Sequence, residues 1–453
     1  MTGLPPSIHL VGVAGAGMSA LAKILVGQGH RVTGSDLRGG AVLDLLSDTG
    51  AEVWPGHRPD RVGGADLVVA SSAVPDADPE LVAAREAGIE IWRRPRLLEA
   101  ITASMETIGP TGTHGKTTTT ALLVTALRAG GDDPSFVVGG DMVGLGTNAH
   151  LGTGARLVLE VDEAFGTFEH VHLRGLVVTN MEQDHMDHFG SGDRLEESFA
   201  KVIRAVDGPV VACLDDPGAA RLAERTAALT YGVGEGARWR IHDFEVGGDR
   251  GSFRLAGPSG SVAVELPRPG FHLARNAAGA LALLGELGED LERAAKGLAA
   301  FAGVRRRFES RGVVAGVRII DDYAHHPTEV AATLDEAARY PARTVWAVFQ
   351  PHLYTRTRDM HREFGAALAG ADAVVVTDVY GARESPIPGV TGRLVASAAQ
   401  RSGAARVEYV PHRGDVAGRL AELVVPGDLV VTMGAGDITL VAGELALLLE
   451  TSP

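Results

Sequence analysis

The segment IGPTGTHGKTTTTALL, Ile108–Leu123, decides how this chain is read. An apolar strand is predicted to end at Ile108. Gly112, Gly115 and Lys116 follow, and a helix is predicted over 117–129, closed by Gly130. Glycines at 112 and 115 let backbone N–H groups turn toward an anion. The helix N-terminus adds positive potential. In such a turn Lys116 would neutralise charge between β- and γ-phosphates, and the Thr117 hydroxyl would ligate Mg²⁺. The strict pattern G-x-x-x-x-G-K-[ST] has glycine where this chain has Pro110, the position least involved in contact. A Thr-rich helix cap is the competing account. Four consecutive threonines, 117–120, are poor helix formers, however, so stability alone does not explain them.

Working outward, strands "RLVLEVDE", "RGLVVTN" and "GPVVACLDD" surround this loop in sequence. The first ends in acids, of which Glu160 or Glu163 could reach Mg²⁺ from an adjacent strand. The second runs into TNMEQDHMDH, 179–188, which packs Asn180, Glu182, Asp184, His185, Asp187 and His188 into ten positions. That spacing fits no common zinc pattern and suits Mg²⁺ or a substrate carboxylate better. Residues 237–268 alternate in short runs and predict an antiparallel patch. The charged segment GVRRRFESRG is read as a domain junction.

On the N-terminal side, Gly12–Gly17 lies after a strand (8–13) and before a helix (18–28), the context of a dinucleotide or nucleotide-sugar phosphate turn. Ala14 departs from G-x-G-x-x-G, and a merely tight turn is the alternative. Asp36 ends the next strand and could accept from ribose hydroxyls. Beyond the junction the α/β rhythm resumes in "VRIIDDYAHH", "RTVWAVFQPH", "ADAVVVTDVYG", "RVEYVPH" and "GDLVVTMGAGD". Polar residues fall at the carboxyl ends of these strands, where open parallel sheets bind ligands. His325, His326, His352, Arg356 and Arg358 would set cations and donors over one face, suiting an anionic or amino-acid substrate. The competing account is a solvated loop with Pro-punctuated caps, in which Thr328 simply N-caps a helix over 329–338.

Composition narrows the function classes. With 453 residues the chain exceeds one core, and 59 glycines fit the many tight strand-to-helix turns of α/β folds. A net charge of -15 disfavours nucleic-acid partners. The single cysteine, Cys213, excludes internal disulfides and Cys-cluster metal sites and fits a reducing cytoplasm. The apolar IHLVGVAGAGMSALAKILVGQG has no preceding basic residue and is broken by Lys23 and several glycines. It is read as a core element, not a signal peptide or membrane span.

The order of these motifs is similar to the Mur ligases. G-x-x-G-x-GMS is followed by GTHGKTTTT, TNMEQDHMD, RRRF, DDYAHHPTEV and FQPHLYTRTR, spanning essentially the whole chain. The resemblance implies a three-domain α/β protein. A Rossmann-like domain (1–103) would bind a UDP sugar. A central P-loop ATPase-like α/β domain with a small antiparallel patch (104–304) would bind ATP. A Rossmann-like C-terminal domain (305–453) would take the amino acid. The implied activity is ATP-dependent joining of L-alanine to the lactyl carboxylate of UDP-N-acetylmuramate through an acyl phosphate, in peptidoglycan precursor synthesis. A monomer or homodimer in the cytoplasm is expected.

By the same resemblance, ATP would meet Gly112, Thr113, His114, Gly115, Lys116, Thr117 and Thr118, with His272 and Asn276 on the adenine side. Thr117 and Glu160 would hold one Mg²⁺ and His185 a second. Gly15, Ala16, Gly17, Met18, Ser19, Asp36, His57, Ser71 and Ser72 would surround the UDP sugar. Tyr323, His325, His326, His352 and Arg356 would serve the amino acid and intermediate, with Lys116, His185, His352 and Arg356 as the catalytic set. The chain departs from the family's E-A-D-E-S-D-x-S-F, reading EVDEAFGTF, so Ala164, Phe165 and Thr167 bear on substrate identity. Leu273 stands where relatives often have Asn, and Pro110 and Thr111 where small or apolar residues are usual. Three rivals share part of the pattern. A related muramyl-peptide ligase with another amino acid or a peptide substrate has the same phosphate motifs. A nucleotide-sugar binding protein without turnover would not need Lys116, Thr117, Glu160 and His185. A dehydrogenase would rest on the N-terminal glycines alone.

Overall fold

A computed structural model describes residues 3–451 apart from Arg38, 184–188, Ser259 and Arg383; the side chains of Ala164 and Phe165 are likewise outside the description. The chain is a mixed α/β protein built on three sheets. It packs as two compact units. One comprises Met1–Asp243, Phe253–Glu265 and Arg275–Ala302; the other comprises Phe244–Ser252, Leu266–Ala274 and Gly303–Pro453.

The first sheet has five parallel strands, in the order Glu52–Pro55, Arg31–Asp36, Ser7–Val11, Leu67–Ala70, Glu90–Arg93. Its central strands are near-continuous apolar runs such as LVVA, buried at every position, as sheets covered on both faces require. The strand order reverses between Ser7–Val11 and Leu67–Ala70. The Gly12–Gly17 turn follows one of these strands and Ser71 the other, so both stand at the switch-point crevice. The helix after the turn starts at Ala16, two residues before the expected Met18, and Gly15 is its N-cap. The strand before it stops at Val11, not at residue 13.

In the central sheet, Glu106–Thr111 lies between Arg156–Leu159 and Gly175–Val178, all parallel. The strand runs three residues past the expected end at Ile108. Pro110 is therefore inside a central strand, where it lacks a donor; its carbonyl still accepts from Val161 N–H at 3.0 Å. Strands Trp239–Gly247, Arg250–Gly257 and Gly260–Leu266 extend one edge. The two-residue link 248–249 forces the first two antiparallel, as the alternating pattern predicted. Asp78, Ser191, Asp216 and Asp290 each accept a backbone N–H at a helix start, the expected use of short polar side chains.

The third sheet has six strands, in the order Glu309–Val314, Val317–Asp322, Leu429–Met433, Val345–Phe349, Ala373–Val376, Val407–Tyr409; only the first pair is antiparallel. Apolar clusters cover both of its faces. The cap here is not the residue that the competing loop account named. The helix Pro327–Ala337 is capped by His326, not Thr328: Thr328 N–H donates to His326 Nδ1 at 3.4 Å, and Glu329 completes a capping box. Pro327 occupies the first helical position and leaves the residue before it to cap.

Candidate active site

The loops after three adjacent central strands converge on residues 112–116. Gly112 has φ +130°, and a Cβ there would lie 2.3 Å from Thr179 Oγ1 and 2.7 Å from the Asn180 carbonyl oxygen, so only glycine fits. Gly115 is a left-handed N-cap, and the helix Lys116–Gly130 starts directly at the lysine. The polar run after Gly175–Val178 holds the turn from outside. Thr179 Oγ1 donates to the His114 carbonyl at 2.6 Å. Asn180 accepts from His114 N–H at 2.8 Å and donates back to its carbonyl at 3.0 Å. Glu182 N–H donates to Thr113 Oγ1 at 2.9 Å. Asn180 thus grips the backbone of the loop and Glu182 N–H its Thr113 hydroxyl, while the Glu182 carboxylate lies 3.5 Å from His114 Nε2. Asn276 lies against Gly115, whose Cβ would come within 2.9 Å of Asn276 Oδ1.

The loop after Arg156–Leu159 supplies the acids and separates the two glutamates. Glu160 accepts from Thr117 Oγ1 at 3.0 Å and from Gly139 N–H at 2.6 Å. Glu163, 2 % exposed, binds Lys116 Nζ through both oxygens at 3.0 and 2.8 Å, and Asp162 adds a carboxylate at 3.5 Å. Lys116 also donates to the Gly112 carbonyl at 2.6 Å. Burial opposes the Lys116 charge, but Glu163 and Asp162 outweigh it and hold the ammonium well above its ordinary value. Burial pushes the Glu163 carboxyl up, and the ammonium pulls it back. Thr117 and Glu160 together present the hard oxygen donors that Mg²⁺ prefers. His185, Asp184, Asp187 and His188 lie outside the described residues.

At the first sheet's crevice, Asp36 is already engaged: its Oδ2 accepts from Ala14 N–H at 3.0 Å and pins the glycine turn. Met18 and Ser19 are buried, and the Ser19 hydroxyl donates to the Ala16 carbonyl at 3.1 Å. Gly15 and Ala16 are exposed, Gly17 and Ser71 half-buried and Ser72 exposed. His57 Nδ1 lies 3.2 Å from Asp78 and 4.0 Å from Glu80, so two buried carboxylates orient its ring.

In the second unit, a row of rings lines the carboxyl ends of the third sheet. Tyr323 and His325 meet at 5.2 Å, His325 and His352 at 5.7 Å, and His352 stacks on Tyr380 at 6.0 Å. Arg306 and Arg307 lie over the Tyr323 ring at 4.8 and 5.0 Å. Neither arginine nor Tyr380 was assigned a role from sequence, although the RRRF run was the available signal. Leu353, next to His352, has φ +69°, a strained value for a branched residue at the site. Arg356 is on the first turn of the helix Tyr354–Leu368. Arg358 does not join the row: it pairs with Asp359 at 2.7 Å in an exposed position. His272 belongs to this unit, with Nε2 3.0 Å from Glu336.

The chain belongs to the Mur ligase family. Residues 7–105 match the family's catalytic domain, 111–284 its middle domain and 306–436 its glutamate ligase domain. Among curated relatives it is 46% identical to the UDP-N-acetylmuramate–L-alanine ligase of Mycolicibacterium vanbaalenii, over 97% of this chain and 95% of the relative. Identity to the enzyme of that name from Thermobifida fusca is 43%, over 95% and 94%. Among solved structures, the UDP-N-acetylmuramate–alanine ligase of Thermotoga maritima superposes with a TM-score of 0.83 at 29% identity, covering 97% of this chain and 98% of that one. A murein peptide ligase from Psychrobacter arcticus shares the fold, with a TM-score of 0.70 at 23% identity over 99% and 100% of the two chains.

Proposed function

We infer that this chain is an ATP-dependent acid–amino-acid ligase that joins L-alanine to the lactyl carboxylate of UDP-N-acetylmuramate, in peptidoglycan precursor synthesis. The observation that carries the reading is the convergence of Lys116, Thr117 and Glu160 at one helix N-terminus. In this account residues 1–103 bind the UDP sugar, 104–304 bind ATP and 305–453 bind the amino acid. A carboxylate is unreactive toward an amine. Attack of a lactyl oxygen on the γ-phosphorus breaks the bond to the β-phosphate oxygen, releases ADP and leaves an acyl phosphate. The L-alanine nitrogen then adds to the carbonyl carbon, and the tetrahedral intermediate expels inorganic phosphate with that lactyl oxygen.

Lys116 and the N–H groups of 112–117 neutralise charge on the transferred group. Thr117 and Glu160 would hold Mg²⁺, which when bound screens the phosphate oxygens from the incoming carboxylate; His185 is the candidate for a second ion. His272 and Asn276 are assigned to the adenine side. Tyr323, His325, His326, His352 and Arg356 are assigned to the amino acid and intermediate, with positioning as the main contribution. Among the described residues no helix is long and apolar enough to cross a membrane, and the cytoplasm is the proposed compartment. The test supplies UDP-N-acetylmuramate, ATP and each amino acid separately. ADP release is expected to be fastest with L-alanine; preference for glycine, serine or a tripeptide would contradict the assignment.

A further inference from the structure

We propose that Arg94 is a substrate-positioning cation whose guanidinium clamps the diphosphate of the nucleotide sugar against the Gly15–Gly17 turn. The assignment rests on the nucleotide-sugar reading above and adds a residue that the sequence reading did not single out. Arg94 follows the strand Glu90–Arg93 and opens the helix Arg94–Thr102, so it stands at the carboxyl edge of the first sheet, as the glycine turn does. Its guanidinium lies flat against the turn: a Cβ on Gly17 would come within 2.8 Å of Cζ, 3.0 Å of Nη2 and 3.1 Å of Nη1. The glycine is thus explained by the arginine, not by backbone φ.

The two neighbouring arginines are used differently. Arg93 is consumed by the fold, donating to the Ser71 and Val74 carbonyls at 3.2 and 2.7 Å and pairing with Asp76. Among the described residues Arg94 makes no such hydrogen bond. Its Nε is enclosed without a hydrogen-bond partner among the described residues. Burial pushes its pKa down, against the pull of Asp162 and Glu160, which act on it from the Lys116 side of the site. A half-buried guanidinium with an enclosed Nε calls for a planar, two-oxygen anion, and a phosphate matches that fork. The helix Ala16–Gly27 starts at the same place with no side-chain cap, so its free N–H groups face the same anion. A lactyl carboxylate has the same chemistry. Contact with Gly17, inside the phosphate turn, favours the diphosphate.

The test titrates UDP, uridine and UDP-N-acetylmuramate into the full chain by calorimetry for wild type, Arg94→Ala, Arg94→Lys and Gly17→Ala, alongside steady-state KM values. For Arg94→Ala the Kd for UDP should rise at least tenfold, uridine binding should stay the same, and KM for UDP-N-acetylmuramate should rise in parallel. KM for ATP and L-alanine should stay within twofold, and Arg94→Lys should recover part of the loss. Gly17→Ala, which displaces the guanidinium without removing it, should show the same selective loss and carries the test should Arg94→Ala fold poorly. Unchanged UDP affinity in Arg94→Ala and Gly17→Ala overturns the assignment. So does a raised KM for UDP-N-acetylmuramate with UDP affinity intact, which would give the guanidinium to the lactyl carboxylate. Wild-type protein that binds UDP but forms no amide counts against the ligase reading alone; wild type that binds no UDP sinks both.

Discussion

Lys116 Nζ sits between both carboxylate oxygens of Glu163, at 2.8 and 3.0 Å, in a site that leaves Glu163 only 2 % exposed. The pair therefore couples loop stability to loop chemistry. Lys116→Ala should lower alanine-dependent ADP release by more than about 100-fold. It should also lower Tm, because stranding one member of a buried pair costs about 3–5 kcal/mol. Lys116→Ala combined with Glu163→Gln should recover most of the Tm and none of the activity. Recovery of turnover in the double variant would contradict the assignment of the lysine.

Asn180 spans His114 as a second strand would, with one bond in each direction. Asn180→Ala leaves two backbone groups of the phosphate turn without these partners, a loss of about 1–3 kcal/mol. KM for ATP should rise roughly tenfold, with KM for L-alanine little changed. Equal rises in both would mean that the side chain does more than shape the turn.

Glu160 binds both Thr117 and Gly139, whereas Glu163 binds Lys116. Glu160→Gln should raise the Mg²⁺ concentration for half-maximal activity by about tenfold or more. High Mg²⁺ should restore part of the rate. An unshifted Mg²⁺ curve would move the metal assignment elsewhere.

Glu336 is fully buried beside His272 and Arg268. Burial alone would raise its carboxyl, but Arg268 and His272 outweigh burial and hold it below the ordinary 4.5. A depressed folded value means that the unfolded chain binds the proton more tightly. Its stabilisation is therefore complete above pH 4.5 and is lost as pH falls through the folded value. Glu336→Gln should lower Tm at pH 7 and flatten the dependence of Tm on pH below 4.5. A variant with the wild-type acid limb would show that the buried carboxylate does not titrate there.

Much of this site was legible because phosphate binding needs backbone conformations that few residues permit. Gly112 and Gly115 announce the turn for that reason, and the acids of "LEVDE" announce a strand end. What the motif alone could not rank was Glu160 against Glu163; only the family resemblance chose Glu160. Their separation depends on where the strand stops, at Leu159, and on which loop faces them. Asn180 was read as a site residue because polar runs after strands usually bind ligands; its clamp on His114 depends on the neighbouring strand. His326 was grouped with the other histidines; that it also caps the helix opened by Pro327 was not read from the sequence. Arg94 was invisible among "RRPR", because only packing tells it from Arg93. At the fold level the alternation of strand and helix was read correctly, while boundaries moved: the strand through Pro110 runs three positions past its expected end at Ile108.

The central claim is that the Lys116 turn holds a triphosphate whose terminal group passes to a carboxylic acid. UDP-N-acetylmuramate labelled with ¹⁸O in both lactyl carboxylate oxygens, turned over with ATP and L-alanine, tests it directly. The account predicts one ¹⁸O in each inorganic phosphate released and one kept in the amide carbonyl. Phosphate free of label, with amide formed, would contradict it.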